Sequence, residues 1–221
     1  MSKNHIILIG IVLVALLVVV FATSQSGTPQ KPTFTLPTDF KVETVTADDH
    51  IIGNRDAKVV VVEYSDYECP VCGLYAPLFQ SLTLKNATTT AYVYRHFPLE
   101  QIHPNAALAS RAAEAADQQG KFWQYSELLF SKQTDWSNLD NPKVVFEGYA
   151  TSTGMDLATF DSYYDATSTV DRVQNAFDTA MALKLDHTPT FFVNGKEVVN
   201  PNLDPAGFFE LLQTKITEAR L

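Results

Sequence analysis

Two cysteines three positions apart, Cys69-Pro70-Val71-Cys72, constrain this chain more than any other feature, because they are its only thiols and stand at a change of local structure. The run Lys58-Val59-Val60-Val61-Val62-Glu63-Tyr64 before them is β-branched and apolar, the composition of a buried strand. The stretch Leu74-Tyr75-Ala76-Pro77-Leu78-Phe79 after them places apolar residues at helical spacing. The motif therefore falls where a strand ends and a helix begins. A thiol at that point meets unpaired backbone N–H groups and the positive end of the helix dipole, so its thiolate is favoured and its pKa falls. Pro70 suits the first helical position, where no N–H is needed. Cys72 follows one turn down the same face, close enough to close a disulfide with Cys69.

Two other readings of the pair compete with redox chemistry. Half of a zinc site would need two further ligands, and the chain has no second CxxC and no paired spacing among His5, His50, His96, His103 and His187. A structural staple over so short a loop would constrain the unfolded chain little. The strand–CxxC–helix context points to redox.

The chain's 221 residues suffice for one sizeable domain and an appendage, and its 46% hydrophobic content is that of a globular protein. A net charge of −9 argues against nucleic acid and against an anionic membrane surface as partners. Ile6 to Ala22 is unbroken apolar sequence apart from Gly10, about 17 residues, the short limit for a spanning helix and long for a signal-peptide core. Lys3 precedes it and no cation follows closely, which places the N-terminus in the cytoplasm and the rest outside. Residues 1–23 thus read as an uncleaved single-pass anchor, with a cleaved signal ending near Ala22 and Ser24 as the alternative. In both cases the cysteines face an oxidising compartment. Residues 24–47, rich in Ser, Thr, Gln and Pro, read as a linker, with an edge strand expected around Phe40, Val42 and Val45.

Past the motif helix, Thr90 to Phe97 reads as a second strand, parallel to the first in a βαβ unit. The middle is helical: one helix from Pro104 to Gln119, one around Phe122 to Phe130, one from Asn141-Pro142 to Gly154, and one capped by Asp156. A further helix spans Thr169 to Leu185, with Val170, Val173, Phe177, Ala180 and Met181 on its apolar stripe. The strand Thr190-Phe191-Phe192-Val193, an Asn194-Gly195 hairpin turn, a strand over Glu197 to Val199 and a last helix from Asp204-Pro205 complete the chain.

Four stretches in this order carry a resemblance. They are Val62 to Cys72, Arg95-His96-Phe97-Pro98-Leu99, His103-Pro104-Asn105-Ala106 with Gly120-Lys121-Phe122-Trp123, and Thr188-Pro189-Thr190-Phe191-Phe192-Val193-Asn194-Gly195. Together they resemble the DsbA-like thiol:disulfide oxidoreductases. The resemblance implies an α/β thioredoxin fold over residues 48–221 with a helical insertion at about 102–167. It makes Cys69 the nucleophile, Cys72 the resolving cysteine, Pro189 a cis-proline facing them, and Glu63 the acid beneath them that exchanges protons as Cys72 ionises. Pro70, Val71, Thr188 and His187 would meet substrate. Val71 departs from the His that well-known members carry between the cysteines, and His187 stands where Gly is common before the Thr.

The resulting expectation is a monomeric, extracytoplasmic enzyme without cofactor or metal, donating its Cys69–Cys72 disulfide to reduced exported proteins and reoxidised by a membrane quinone-linked partner. A reductase or isomerase, and a non-redox tethered binding module, are the alternatives.

Overall fold

The computed structural model describes residues 34–200 and 204–221. The first strand of the motif region is β2 (Val59–Ser65), buried along its whole length. It leads through a short turn into helix α1 (Pro70–Asn86), and the chain returns in β3 (Thr90–His96). β2 and β3 are parallel, with Glu63 opposite Tyr94 and Ser65 opposite His96, the βαβ arrangement expected. Before them lies β1 (His50–Gly53), antiparallel to β3 with His50 opposite Tyr94. After the helical region, β4 (Thr190–Val193) pairs antiparallel with β2, and β5 (Lys196–Glu197) with β4. The mixed sheet has the order β1-β3-β2-β4-β5.

Between β3 and β4 run α2 (Ala106–Asp117), α3 (Phe122–Ser131), α4 (Gln133–Trp136), α5 (Lys143–Ser152), α6 (Leu157–Tyr164) and α7 (Thr167–Ala182). The chain closes with α8 (Pro205–Glu218). The caps follow sequence logic: Asp156 accepts the Thr159 N–H at the start of α6, and Asp204 accepts the Ala206 N–H at the start of α8.

Period-two alternation along β2 decides what lies beneath the cysteines. Val60, Val62 and Tyr64 face one core with Phe177 and Ala180 of α7. Val59 and Val61 face the other, with Tyr75 and Phe79 of α1 and Phe208, Leu212 and Ile216 of α8. Glu63 and Ser65 share that second face. The inserted helices build a third core around Trp136, Tyr125 and Phe160, and this core reaches the sheet through Tyr94.

Three expectations change. The edge strand is His50–Gly53, not the Phe40–Val45 stretch. There the carbonyls of Val42 and Thr44 are taken by the Arg95 guanidinium, which also forks onto Asp49, so they are not free for a ladder. Gly53, which ends β1 at φ +98, leaves no room for a Cβ against the Thr90 carbonyl. On α7, Val170 and Met181 are exposed, and the buried stripe narrows to Val173 and Ala180. The strand after the hairpin sits at Lys196–Glu197, ahead of the stretch expected. Asn194 and Gly195 both have positive φ, as a tight hairpin turn requires. The anchor expected over Ile6–Ala22 lies outside the described residues, and no helix among those described is long and apolar enough to cross a membrane.

Candidate active site

Cys69 is the N-cap of α1, in extended backbone, and Pro70 opens the helix. The Cys69 N–H donates to the Asp66 carbonyl at 3.2 Å, and its own carbonyl accepts from Gly73 at 3.1 Å. The N–H groups of Val71 and Cys72 are left to the Cys69 sulfur. From the opposite side, the loop before β4 closes on the same atom: the Cys69 thiol donates to the Thr188 carbonyl at 3.5 Å, and Thr188–Pro189 is a cis peptide. The Thr188 hydroxyl, buried without a hydrogen-bond partner among the described residues, is a further donor available to a thiolate.

The two sulfurs, both reduced here, titrate in opposite directions. The Cys72 thiol beside it is the largest influence on Cys69. With Thr188 and the N–H groups of Cys72 and Val71, it outweighs burial and brings the Cys69 pKa down to about 6. Burial, reinforced by the neighbouring Cys69, pushes Cys72 well above the ordinary thiol range. Cys72 is fully buried and Cys69 is 6% exposed, so any attack from solvent reaches Cys69.

Glu63 lies on the face of β2 that α1 covers. Burial raises its carboxyl to about 7, against a smaller opposing effect of the Ser65 hydroxyl. That hydroxyl, buried and without a close hydrogen-bond partner among the described residues, also favours the ionised form of Cys72. Ser65 therefore stands between the acid and the resolving thiol. Glu63 also lines a cavity of about 180 Å³ with Gly73, Ala76 and Pro77 of α1 and Ser126, Glu127 and Phe130 of α3, room for a few water molecules.

The His187 imidazole is exposed and pairs with Asp186 at 2.8 Å. Val71 is 37% exposed at the helix start, and Pro70 in the first helical turn is exposed as well, so both are open to a bound chain.

The structure adds residues that sequence reasoning missed. Asp66 holds the turn before Cys69 by accepting from Glu68 N–H, Leu99 N–H and His103 Nδ1, while Glu68 accepts from the Asn105 N–H at 2.6 Å. Gln133 on α4 donates from one amide nitrogen to the carbonyls of Tyr67 and Cys69, at 2.7 and 2.8 Å. These contacts fasten the motif to the inserted helices, and their partners lie too far apart in sequence for any local pattern to reveal them.

A second polar cluster was likewise invisible in the spacing of the histidines. Antiparallel pairing sets His50 opposite Tyr94, and His96 is two residues further along β3, so both imidazoles project from one face. There α2 presents Glu114, whose Oε1 lies 2.7 Å from His50 Nε2 and 2.9 Å from His96 Nε2. Arg172 of α7 holds the other oxygen at 2.8 Å. Burial alone would raise the Glu114 carboxyl, yet its imidazole partners hold it far below the usual carboxylate range.

A redox-competent dithiol at a helix start, facing a cis-proline loop on a five-stranded mixed sheet, defines a thioredoxin-type site. A family model described as thioredoxin matches residues 45–214, and the chain belongs to that family. Among solved structures, BdbD from Bacillus subtilis in its oxidised form superposes with a TM-score of 0.66 at 24% identity, covering 77% of this chain and 92% of that one. A thioredoxin-like oxidoreductase from Silicibacter pomeroyi DSS-3 gives 0.64 at 24% identity, covering 79% and 94%. Wolbachia pipientis alpha-DsbA1 gives 0.65 at 19% identity, covering 80% and 94%. The fold is thus that of these thioredoxin-like structures. Curated relatives include the Na(+)/H(+) antiporter NhaA 1 of Mycobacterium sp. (strain KMS), 40% identical over 157 residues, 69% of this chain and 24% of that protein. NhaA 3 of Salinispora tropica is 39% identical over 153 residues, 69% of this chain and 22% of that protein. The chain spans about a quarter of the length of the curated relatives it matches.

Proposed function

We propose that the chain is a protein thiol:disulfide oxidoreductase that works outside the cytoplasm as a disulfide donor. The observation that carries this reading is the unequal pair: a low-pKa Cys69 at the helix start against the Thr188 carbonyl, and a sealed, high-pKa Cys72 behind it. In the oxidised enzyme a substrate thiolate attacks the Cys69 sulfur, forming a mixed disulfide and breaking the Cys69–Cys72 bond. Cys72 leaves as a thiolate and takes a proton from Glu63, whose raised pKa keeps it protonated near neutrality. A second substrate thiolate then attacks its own sulfur in the mixed disulfide. The substrate departs as a disulfide, and Cys69 leaves as a thiolate that its surroundings hold ionised.

Thr188 and Pro189 form the wall a bound chain would meet beside Cys69, with Val71 at its rim. His187, turned to solvent against Asp186, is at most a peripheral contact. In this reading, residues 6–22 anchor the enzyme, residues 24–47 hold residues 48–221 off the membrane, reduced exported proteins are the substrates, and a quinone-linked membrane protein restores the disulfide. Ion transport, the activity in the antiporters' names, is not part of it.

The test is Cys72→Ser, which should accumulate mixed disulfides with exported proteins, because Cys72 can no longer attack Cys69 to release a captured chain and only a second substrate thiol can displace it. If Cys69→Ser accumulates them instead, the roles are reversed. If neither does, the enzymatic reading fails and the binding-module alternative takes its place.

A further inference from the structure

We propose that His50, His96 and Glu114 are the protein ligands of a divalent-cation site, suited to Zn²⁺, that joins the sheet edge to helix α2. Two imidazoles and a carboxylate form a donor set that takes Zn²⁺ with a fourth position open. All three side chains are buried, at 7%, 2% and 2% exposure, and their candidate ligand atoms lie within 4.8 Å of one another. As they stand, both Nε2 atoms converge on a single carboxylate oxygen. In a tetrahedral site with bonds near 2.0–2.1 Å, ligand atoms lie about 3.3 Å apart. The 2.7 and 2.9 Å separations of the carboxylate oxygen from the two nitrogens would open by about half an ångström around a cation, with the two nitrogens, within 4.8 Å of each other, settling at the same spacing.

His50 has the surroundings of a built ligand, whereas His96 Nδ1 is buried with no hydrogen-bond partner among the described residues. His50 Nδ1 faces the Asp117 carboxylate at 3.5 Å, the outer partner that orients a metal-bound imidazole. The His50 ring is stacked on Phe122 at 3.4 Å, which fixes its plane. Arg172 secures the carboxylate oxygen not offered to the cation. Arg172 is also the group that opposes a cation, since its guanidinium lies 3.5 Å from His50 Nε2. The pocket outside the cluster offsets it. Its lining carries Asp48, Asp49, Glu114 and Asp171 against Arg95 and Arg172, an excess of two negative charges when the imidazoles are neutral. A dication balances that excess. The pocket, about 450 Å³, supplies both an entry path and room for a water at the fourth position.

Reduced Cys69 and Cys72 would themselves bind Zn²⁺, so the experiment uses the full chain with this pair closed as its disulfide and treated with chelator. Calorimetric titration with ZnCl₂ should show one equivalent bound and a melting temperature raised by several degrees at saturation. Co²⁺ in its place should give the visible bands of a four-coordinate nitrogen–oxygen site, with no thiolate charge transfer. His50→Asn and His96→Asn should each abolish both signals. Absence of binding, binding undiminished in either variant, or a Co²⁺ spectrum identical to the aqueous ion overturns the proposal. The spectrum is read on the wild-type protein and decides the matter even if a variant does not fold.

Discussion

Two buried carboxylates on one face of the sheet have opposite fates. Glu63 on β2 and Glu114 on α2 are 3% and 2% exposed, so both lose the same hydration. His50 pairs with Tyr94 and Tyr94 with Glu63, which puts the two acids' surroundings only two strands apart. Glu63 has the Ser65 hydroxyl nearby and no counter-charge among the described residues, and burial carries it to about 7. Glu114 has two imidazoles and a guanidinium, and it stays ionised. Burial alone therefore does not tell a proton carrier from a fixed charge; partners do. A carboxyl near 7 can give and take a proton at neutral pH, whereas one held far below can only hold other groups in place.

The largest effect expected from breaking this contrast is at Glu114. In chelator-treated protein, Glu114→Gln should lose about 3–5 kcal/mol of stability, the usual result of removing one partner of a buried pair, measured by urea unfolding at pH 7. A loss below about 1 kcal/mol would show that the charge organises nothing.

At Glu63 the sign reverses. Its folded-state pKa lies above its unfolded value of 4.5, so between about pH 4.5 and 7 the native state binds the extra proton and its stability falls as pH rises. A carboxyl moved from 4.5 to about 7 corresponds to about 3 kcal/mol. Glu63→Gln should therefore be more stable than wild type by up to about 3 kcal/mol at pH 8 and nearly equal to it at pH 4. Disulfide exchange should slow at the same time. Unfolding at the two pH values with a stopped-flow exchange assay checks both parts, and equal stability at both pH values would contradict the placement of the acid.

A smaller effect is expected at the helix start. A Cys69 pKa of about 6 lies between the values of thioredoxin, about 7, and DsbA, about 3.5. The reduction potential should lie between theirs too, at roughly −150 to −200 mV. Val71→His adds a donor of about 1.5–3 kcal/mol to the thiolate, which should raise the potential by about 30–60 mV in glutathione equilibration and lower the pH midpoint of Cys69 alkylation. A wild-type potential at or below thioredoxin's would favour the reductase.

The smallest effect is expected at α4. Gln133→Ala frees the carbonyls of Tyr67 and Cys69 and should cost about 1 kcal/mol. It should also broaden the alkylation profile of Cys69, since the turn is less firmly held. An unchanged profile would make Gln133 a packing residue only.

Much of this site was written locally. The run of valines, Pro70 at the first helical position, the Asp156 and Asp204 caps and the Asn194-Gly195 turn each act within a few residues, so propensity and periodicity suffice to read them. The same local logic failed at Phe40–Val45, because a distant Arg95 claims carbonyls that a strand would have used. What the tertiary structure alone decided is every relation across the sheet or between sheet and inserted helices. Gln133 reaches the Cys69 carbonyl, and His50, His96 and Glu114 converge although 46 and 18 residues separate them in order along the chain. The physical reason is that a side chain's pKa and partners depend on what is packed against it through space, and strand register and helix docking choose those neighbours.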